Sequence, residues 1–239
     1  MSTIHLVRHG QASAGSDDYD RLSELGREQS RLLGDWWHRQ GFEAELALNG
    51  SLSRQRDTAS ISLDAAKLTP LRREHAGLNE YDHRAVDCQH GGGLKSDDPE
   101  SMTFEDYVSI MQRWREASLD PAAGIAGGYE SDSRTDIDVN NVLESWHSFA
   151  ARGWQTVHDI HHEHDEASHL VFFTSGGVIA TLLSQVLKLD FAHTIDIIWR
   201  IRNASITTLH YDGDKARMID FNTIPHLQAE HDSSLITLI

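Results

Sequence analysis

The sequence predicts an α/β fold: a mostly parallel central sheet with helices on both faces and an insertion in the middle of the chain. Short apolar runs such as Ile4-His5-Leu6-Val7 and Leu170-Val171-Phe172-Phe173-Thr174 read as buried strands. Between them, apolar residues recur every three or four positions, the period of a helix face. Strands and helices alternate, an order that covers a sheet on both sides. A chain of 239 residues can bury about 70% of its extended surface, enough for a core without disulfide staples.

The first strand, Ile4 to Val7, is stopped by Arg8-His9-Gly10, and a polar loop runs from Gln11 to Arg21. Ser23 can cap a helix, since its hydroxyl accepts an orphan amide of the first turn; Leu25, Leu32, Leu33, Trp36 and Trp37 then repeat at helical spacing until Gly41. Leu46 to Asn49 is a weak second strand, and Ser53 to Ala66 a second helix with Thr58, Ala59 and Leu63 on one side. From about Tyr81 to Thr135 the pattern loosens into Gly91-Gly92-Gly93, the acidic Asp97-Asp98-Pro99-Glu100, a helical stretch Phe104 to Ala117 and a polar run Gly124 to Ser133. The expectation is one domain over 1–239 with a cap insertion at about 81–135, rather than a second core. Val139, Val142, Leu143, Trp146, Phe149, Ala150, Trp154 and Val157 predict a long amphipathic helix. The strand Leu170 to Thr174 passes through Ser175-Gly176-Gly177 into a helix Val178 to Leu187, and two strands, Ala204 to Leu209 and Arg217 to Phe221, join at Asp212-Gly213.

Charge and cysteine usage exclude several classes. With 37 Asp and Glu against 21 Lys and Arg, the net charge of −16 lacks the cationic footprint that nucleic acid or an anionic membrane requires. The single cysteine, Cys88, cannot form an internal disulfide or a thiolate metal cluster. No apolar run approaches the roughly 18 residues of a membrane span. These features lead to the expectation of a soluble, cytoplasmic protein without nucleic-acid or membrane partners.

The chemistry-bearing residues begin with Arg8-His9-Gly10, at the C-terminal end of a strand, where open α/β sheets place their ligand sites. A neutral, oriented histidine can be a nucleophile, and the planar arginine fork fits a phosphate. Taken alone the tripeptide decides nothing. It is followed, in order, by Leu22-Ser23-Glu24-Leu25-Gly26-Arg27-Glu28-Gln29, Leu52-Ser53-Arg54-Gln55-Arg56-Asp57-Thr58-Ala59, Leu78-Asn79-Glu80, Thr174-Ser175-Gly176-Gly177-Val178-Ile179 and Arg202-Asn203-Ala204-Ser205-Ile206-Thr207. This series resembles the histidine phosphatase superfamily, in its phosphoglycerate-mutase-like branch, from Ile4 to about Leu227, with the middle insertion unmatched. The resemblance implies a three-layer sandwich.

It also implies roles. His9 would take the phosphoryl group as a phosphohistidine, Arg8 and Arg54 would clamp the phosphate oxygens, and Glu80 would protonate the leaving oxygen, with Asp82 and His83 as alternative donors. Gln11, Ser175 and Gly176 would bind substrate. A carboxyl is a poor acid at neutral pH unless a closed site and a nearby phosphate raise its pKa. Arg56, two residues beyond Arg54, would point away from the site. The expected reaction needs no cofactor and no metal, and its partner is a small phosphorylated substrate. One departure stands out: the family's second pocket histidine should precede Gly176-Gly177, and this chain has Ser175. Losing one preorganised donor typically costs roughly 10²-fold to 10³-fold in rate. His83, His90 and His226 are candidates to replace it. A weak phosphate-binding pseudophosphatase is therefore the alternative to an active phosphomonoesterase. A mutase is less favoured, because Arg84, Lys95 and Arg113 lie scattered among many acids.

Other patterns compete less well. Ser175, Asp196 and His226 follow the order of an α/β-hydrolase triad, but Phe173 occupies a place where its strained turn needs a small residue. His158, His161, His162, His164 and His169 match no zinc-protease spacing and read as a solvated helix end. Gly91-Gly92-Gly93 lacks the residues that complete a phosphate-binding loop.

Overall fold

A computed structural model describes residues 1–13, 20–91, 102–118 and 143–238. The chain forms two compact units, Met1–Glu80 with Arg152–Ile239, and Tyr81–Ala151.

In the first unit six strands, β1 (Ser2–Arg8), β2 (Leu46–Asn49), β3 (Leu71–Glu74), β4 (His169–Thr174), β5 (Ile206–Tyr211) and β6 (Ala216–Thr223), form a mixed sheet in the order β3-β2-β4-β1-β5-β6. The first four run parallel to one another. β5 is antiparallel to β1, and β6 to β5, so β5 alone opposes the rest. The reversal is made at the expected turn: Gly213 takes a left-handed φ of +97°, and the Asp212 carboxylate accepts the amides of Asp214 (3.1 Å) and Lys215 (2.7 Å).

Two helices, α1 (Glu24–Gln40) and α2 (Ser53–Ala66), cover one face. Leu33, Trp37, Ala59, Leu63 and Ala66 meet Val7, Ala47, Val171, Phe173 and Ile206 there. Ser23 Oγ accepts the Gly26 amide at 3.0 Å, and Gly41 closes α1 in the left-handed conformation, as the sequence predicts. Alternate strand residues Ile4, Leu6, Leu48, Leu170 and Phe172 point to the opposite face and are fully buried. On that side Trp154 and His161 of α5 (Trp146–Glu163) meet the Tyr211 ring.

Several elements depart from the expectations. β3 is a wholly exposed edge strand, Leu-Arg-Arg-Glu, with no apolar alternation to reveal it. The helix expected from Val139 begins at Trp146; Leu143 precedes it, while Val139 and Val142 lie outside the described residues. α6 (Gly176–Leu187) starts two residues earlier than its apolar run, directly after Ser175. α7 (Phe191–Arg200), capped by Asp190, was not anticipated. The short α8 (Pro225–Gln228) packs Leu227 with Leu32 of α1.

In the second unit, α3 (His83–His90) and α4 (Phe104–Ala117) accompany the first residues of α5. Its core is aromatic: the Trp114 ring lies 5.0 Å from Tyr81, 5.4 Å from Trp146 and 5.9 Å from Phe149. The tryptophans there are core residues, and Trp114 donates its indole N–H to the Glu144 carbonyl at 2.9 Å. The insertion boundary expected near Thr135 lies outside the described residues. No helix among the described residues is long and apolar enough to cross a membrane.

Candidate active site

β1 delivers Arg8, His9 and Gly10 to the C-terminal edge of the sheet, beside the end of β4, since Arg8 pairs with Thr174 and the His9 amide donates to the Thr174 carbonyl at 2.9 Å. The backbone around His9 is held from three sides. Its carbonyl accepts the Ala204 amide (3.2 Å) and the Asn203 side chain (3.3 Å), and the Gly10 amide donates to Thr58 Oγ1 at 3.0 Å. Gly10 itself meets α1 so closely that a Cβ would sit 2.3 Å from the Gly26 carbonyl oxygen. The glycines of the first two motifs are therefore one contact seen from both sides.

His9 is 5% exposed. Nδ1 lies 2.7 Å from the Gly10 carbonyl, which can only accept, so Nδ1 carries the proton. Nε2 then keeps its lone pair and accepts the Nε–H of Arg54 at 3.2 Å. Burial first, then the charges of Arg54 and Arg8, hold the His9 pKa well below its usual value of 6.5. A neutral imidazole with Nε2 as the basic atom is the state a nucleophile requires.

Arg54 sits in the first turn of α2, buried, with its Nη1 on Asp20 Oδ1 at 2.8 Å. Asp20 also accepts the Ser53 amide at 2.7 Å, so one carboxylate caps α2 and aims its arginine. Arg56, on the next face, is exposed and reaches Ser53 Oγ, as expected of an outward residue. The Arg8 guanidinium is close enough to depress His9, while its Nη1 donates to the carbonyls of Ile201 and Leu238.

At the β4–α6 junction, Ser175 is fully buried and its Oγ accepts the Gln55 side-chain amide at 2.8 Å; it does not cap α6. Gly176 opens the helix beside the Arg8 side chain: a Cβ there would lie 3.7 Å from Arg8 Nε. Glu80 Oε2 accepts the Gly177 amide at 2.9 Å, placing the carboxylate on the positive end of α6. Gln11 turns toward α1, its amide donating to Gln29 Oε1 and its Oε1 accepting Ser23 Oγ, both at 2.8 Å. The candidates for a second histidine fare differently. His226 is fully buried, neither ring nitrogen has a partner among the described residues, and burial pushes its pKa down to about 3. His83 and His90 belong to the second unit. Asp82, the alternative acid, caps α3.

The hydrolase triad is not assembled, because Asp196 pairs with Arg200 and, among the described residues, His226 has no hydrogen-bond partner. Among the described residues no group of three His, Cys, Asp or Glu side chains is arranged to hold a metal ion. Asp20 and Gln55 escaped the sequence analysis. Gln55 stands inside the Arg54 motif, but nothing in its type marks it, and Asp20 lies in a polar loop.

The model of the histidine phosphatase superfamily, branch 1, matches residues 4–120 and 108–224. The chain is 32% identical over 124 residues to a phosphoglycerate mutase of Candida albicans, covering 48% of this chain and 46% of that protein. It is 32% identical over 120 residues to a 2,3-bisphosphoglycerate-dependent phosphoglycerate mutase of Allorhizobium ampelinum, covering 46% and 54%. It thus spans about half the length of these curated relatives. Among solved structures, a phosphoglycerate mutase from Bacillus anthracis shares the fold at a TM-score of 0.64 and 16% identity, over 97% of both chains. A mycobacterial glucosyl-3-phosphoglycerate phosphatase, solved with inorganic phosphate, does so at 0.60 and 22% identity, over 95% of this chain and 99% of that one. The ordered motifs, the sheet edge that collects them and the family match agree: this chain belongs to the histidine phosphatase superfamily, branch 1.

Proposed function

We propose that the chain is a phosphomonoesterase acting on a small phosphorylated substrate through a phosphohistidine on His9. The observation that carries this is the His9 ring itself: Nδ1–H anchored on Gly10, Nε2 basic and facing Arg54. Arg54 must pivot from Nε2 onto the phosphate oxygens as substrate enters, with Arg8 as the second cation. The Nε2 lone pair then forms the N–P bond while the bond from phosphorus to the leaving oxygen breaks, and the Glu80 carboxyl gives that oxygen a proton. Water next attacks phosphorus, loses a proton to Glu80, and the N–P bond breaks to restore neutral His9. Charge spread over the phosphoryl oxygens is met by guanidinium groups and by the amides of Ser175 and Gly176 at the α6 N-terminus, the Gly177 amide being given to Glu80. Gln11 supports the loop below His9. No step calls for a metal or cofactor.

A second reading, a phosphate-binding protein with little turnover, is favoured by one observation: the Ser175–Gln55 pair puts no positive charge where the family resemblance leads one to expect a histidine. The two are separated by phosphate release from a small aryl phosphate. The enzyme reading expects turnover in the wild type, loss in His9→Ala, and an acid-labile, alkali-stable phosphoryl group trapped on His9. Hydrolysis by His9→Ala at the wild-type rate refutes the mechanism, and a wild type that binds phosphate without turnover establishes the second reading.

A further inference from the structure

Gln55 determines which way the hydrogen bonds at Ser175 run. It is fully buried on α2, with Nε2 2.9 Å from the Leu78 carbonyl and 2.8 Å from Ser175 Oγ. A carbonyl can only accept, so the atom facing Leu78 is the nitrogen, and its second N–H is the one given to Ser175. Ser175 is thereby an acceptor in this pair and must give its own proton elsewhere. Its hydroxyl does not cap α6, and among the described residues Gln55 is its one side-chain partner. The parallel register that pairs Arg8 with Thr174 sets the next residues, His9 and Ser175, abreast at the same sheet edge. A chain of donors, Gln55 N–H to Ser175 O–H, thus ends at the sheet edge that also carries His9, with no acceptor for the Ser175 proton among the described residues.

We propose that Gln55 is a positioning residue for phosphoryl transfer. By donating to Ser175 it leaves the Ser175 O–H as a neutral donor to an oxygen of the phosphoryl group held at His9. The same amide pins the Leu78 carbonyl, two residues before Glu80, whose carboxylate rests on Gly177. Phosphate oxygens offer acceptors only, so they complete the chain, and a hydroxyl that already accepts a hydrogen bond is the stronger donor. Among the described residues the ionisable groups near the pair include His9, at the same sheet edge, Arg54, adjacent on α2, Arg8 beside Gly176, and Glu80 on Gly177. The proposal rests on His9 being the phosphoryl acceptor.

The test is a double-mutant cycle of Ser175→Ala and Gln55→Glu, read as kcat and KM for a small aryl phosphate between pH 5.5 and 8. Ser175→Ala should lower kcat roughly 10²-fold with KM little changed. Gln55→Glu keeps the shape but turns a donor into an acceptor that captures the Ser175 proton. It should lose about as much at pH 8 and recover as acid protonates the new carboxyl. The double variant should be no slower than Ser175→Ala. Losses that multiply, a Gln55→Glu effect that does not vary with pH, or Ser175→Ala within twofold of wild type each overturn the proposal. Thermal unfolding checks that each variant folds, and Gln55→Met replaces Gln55→Glu if it does not. Orthovanadate affinity reads the same cycle without turnover. Full activity in His9→Ala is the separate result that would sink the phosphohistidine reading instead.

Discussion

His226 gives the most quantitative prediction. Its imidazole is fully buried in α8 with neither nitrogen bonded among the described residues, and its pKa falls from 6.5 to about 3 because burial disfavours the charged ring. A group whose folded pKa is depressed contributes its stability fully above the unfolded value and loses it as pH falls through the window between the two. For His226 that window runs from 6.5 down to about 3. At pH 4.5 the unfolded chain gains about 2.7 kcal/mol by protonating this one residue, and the folded chain gains almost nothing. His226→Leu removes the linkage. Near pH 7.5 the variant should be equal or more stable, because an unpaired buried polar group costs about 1–3 kcal/mol and a swap of similar volume under about 1.5 kcal/mol. At pH 4.5 its advantage should grow by about 2.7 kcal/mol. Urea unfolding of both proteins at the two pH values measures this difference, and the buried His5, with a pKa lowered to about 4, cancels because both carry it. An advantage that stays the same within about 0.5 kcal/mol at both pH values would show that His226 titrates normally, and would refute the account. Phosphate release at pH 7.5 should be unchanged in His226→Leu, since a ring that stays neutral and unbonded cannot be the missing pocket cation; a large loss would restore it to the site.

Other outcomes follow from the site. Asp20→Ala removes both the cap of α2 and the carboxylate that aims Arg54, so kcat/KM should fall roughly 10-fold to 10²-fold, with about 1 kcal/mol lost in thermal unfolding. Gly10→Ala drives a Cβ to 2.3 Å from the Gly26 carbonyl and should cost about 1–3 kcal/mol or more in denaturant unfolding; an unshifted midpoint would mean the two loops part freely. The net charge of −16 should repel a dianionic substrate at long range, so kcat/KM should hold or rise as salt approaches about 0.15 M, and a steep fall would contradict this.

The legible parts of the fold were those in which local chemistry and burial agree. Leu46–Asn49, Ser53–Ala66 and Phe104–Ala117 have the bounds their apolar patterns give, and the Ser23 cap and Gly41 stop act within one helical turn. β3 was hidden because Leu71-Arg72-Arg73-Glu74 owes its strand state to pairing with β2 and buries nothing. α6 begins at two glycines, poor helix formers, because the end of β4 and the Glu80 carboxylate fix its first turn. Of the candidate site, His9, Arg54 and Glu80 are the residues that the ordered motifs singled out. Asp20 and Gln55 were not, since an aspartate in a polar loop and a glutamine in a helix look alike whether they face water or each clasp two partners.

The amino-acid sequence alone determined the alternation of strands and helices, the acidic body, and which residue types could carry phosphoryl chemistry, because periodicity, charge and motif order are properties of the chain as written. Only the tertiary structure decided which nitrogen of His9 is basic, that Asp20 aims Arg54, that Ser175 is held by Gln55, and that His226 is sealed away. Those states depend on burial and on partners far apart along the chain, and a proton's position follows from which acceptor the folded backbone brings within 3 Å or so of it.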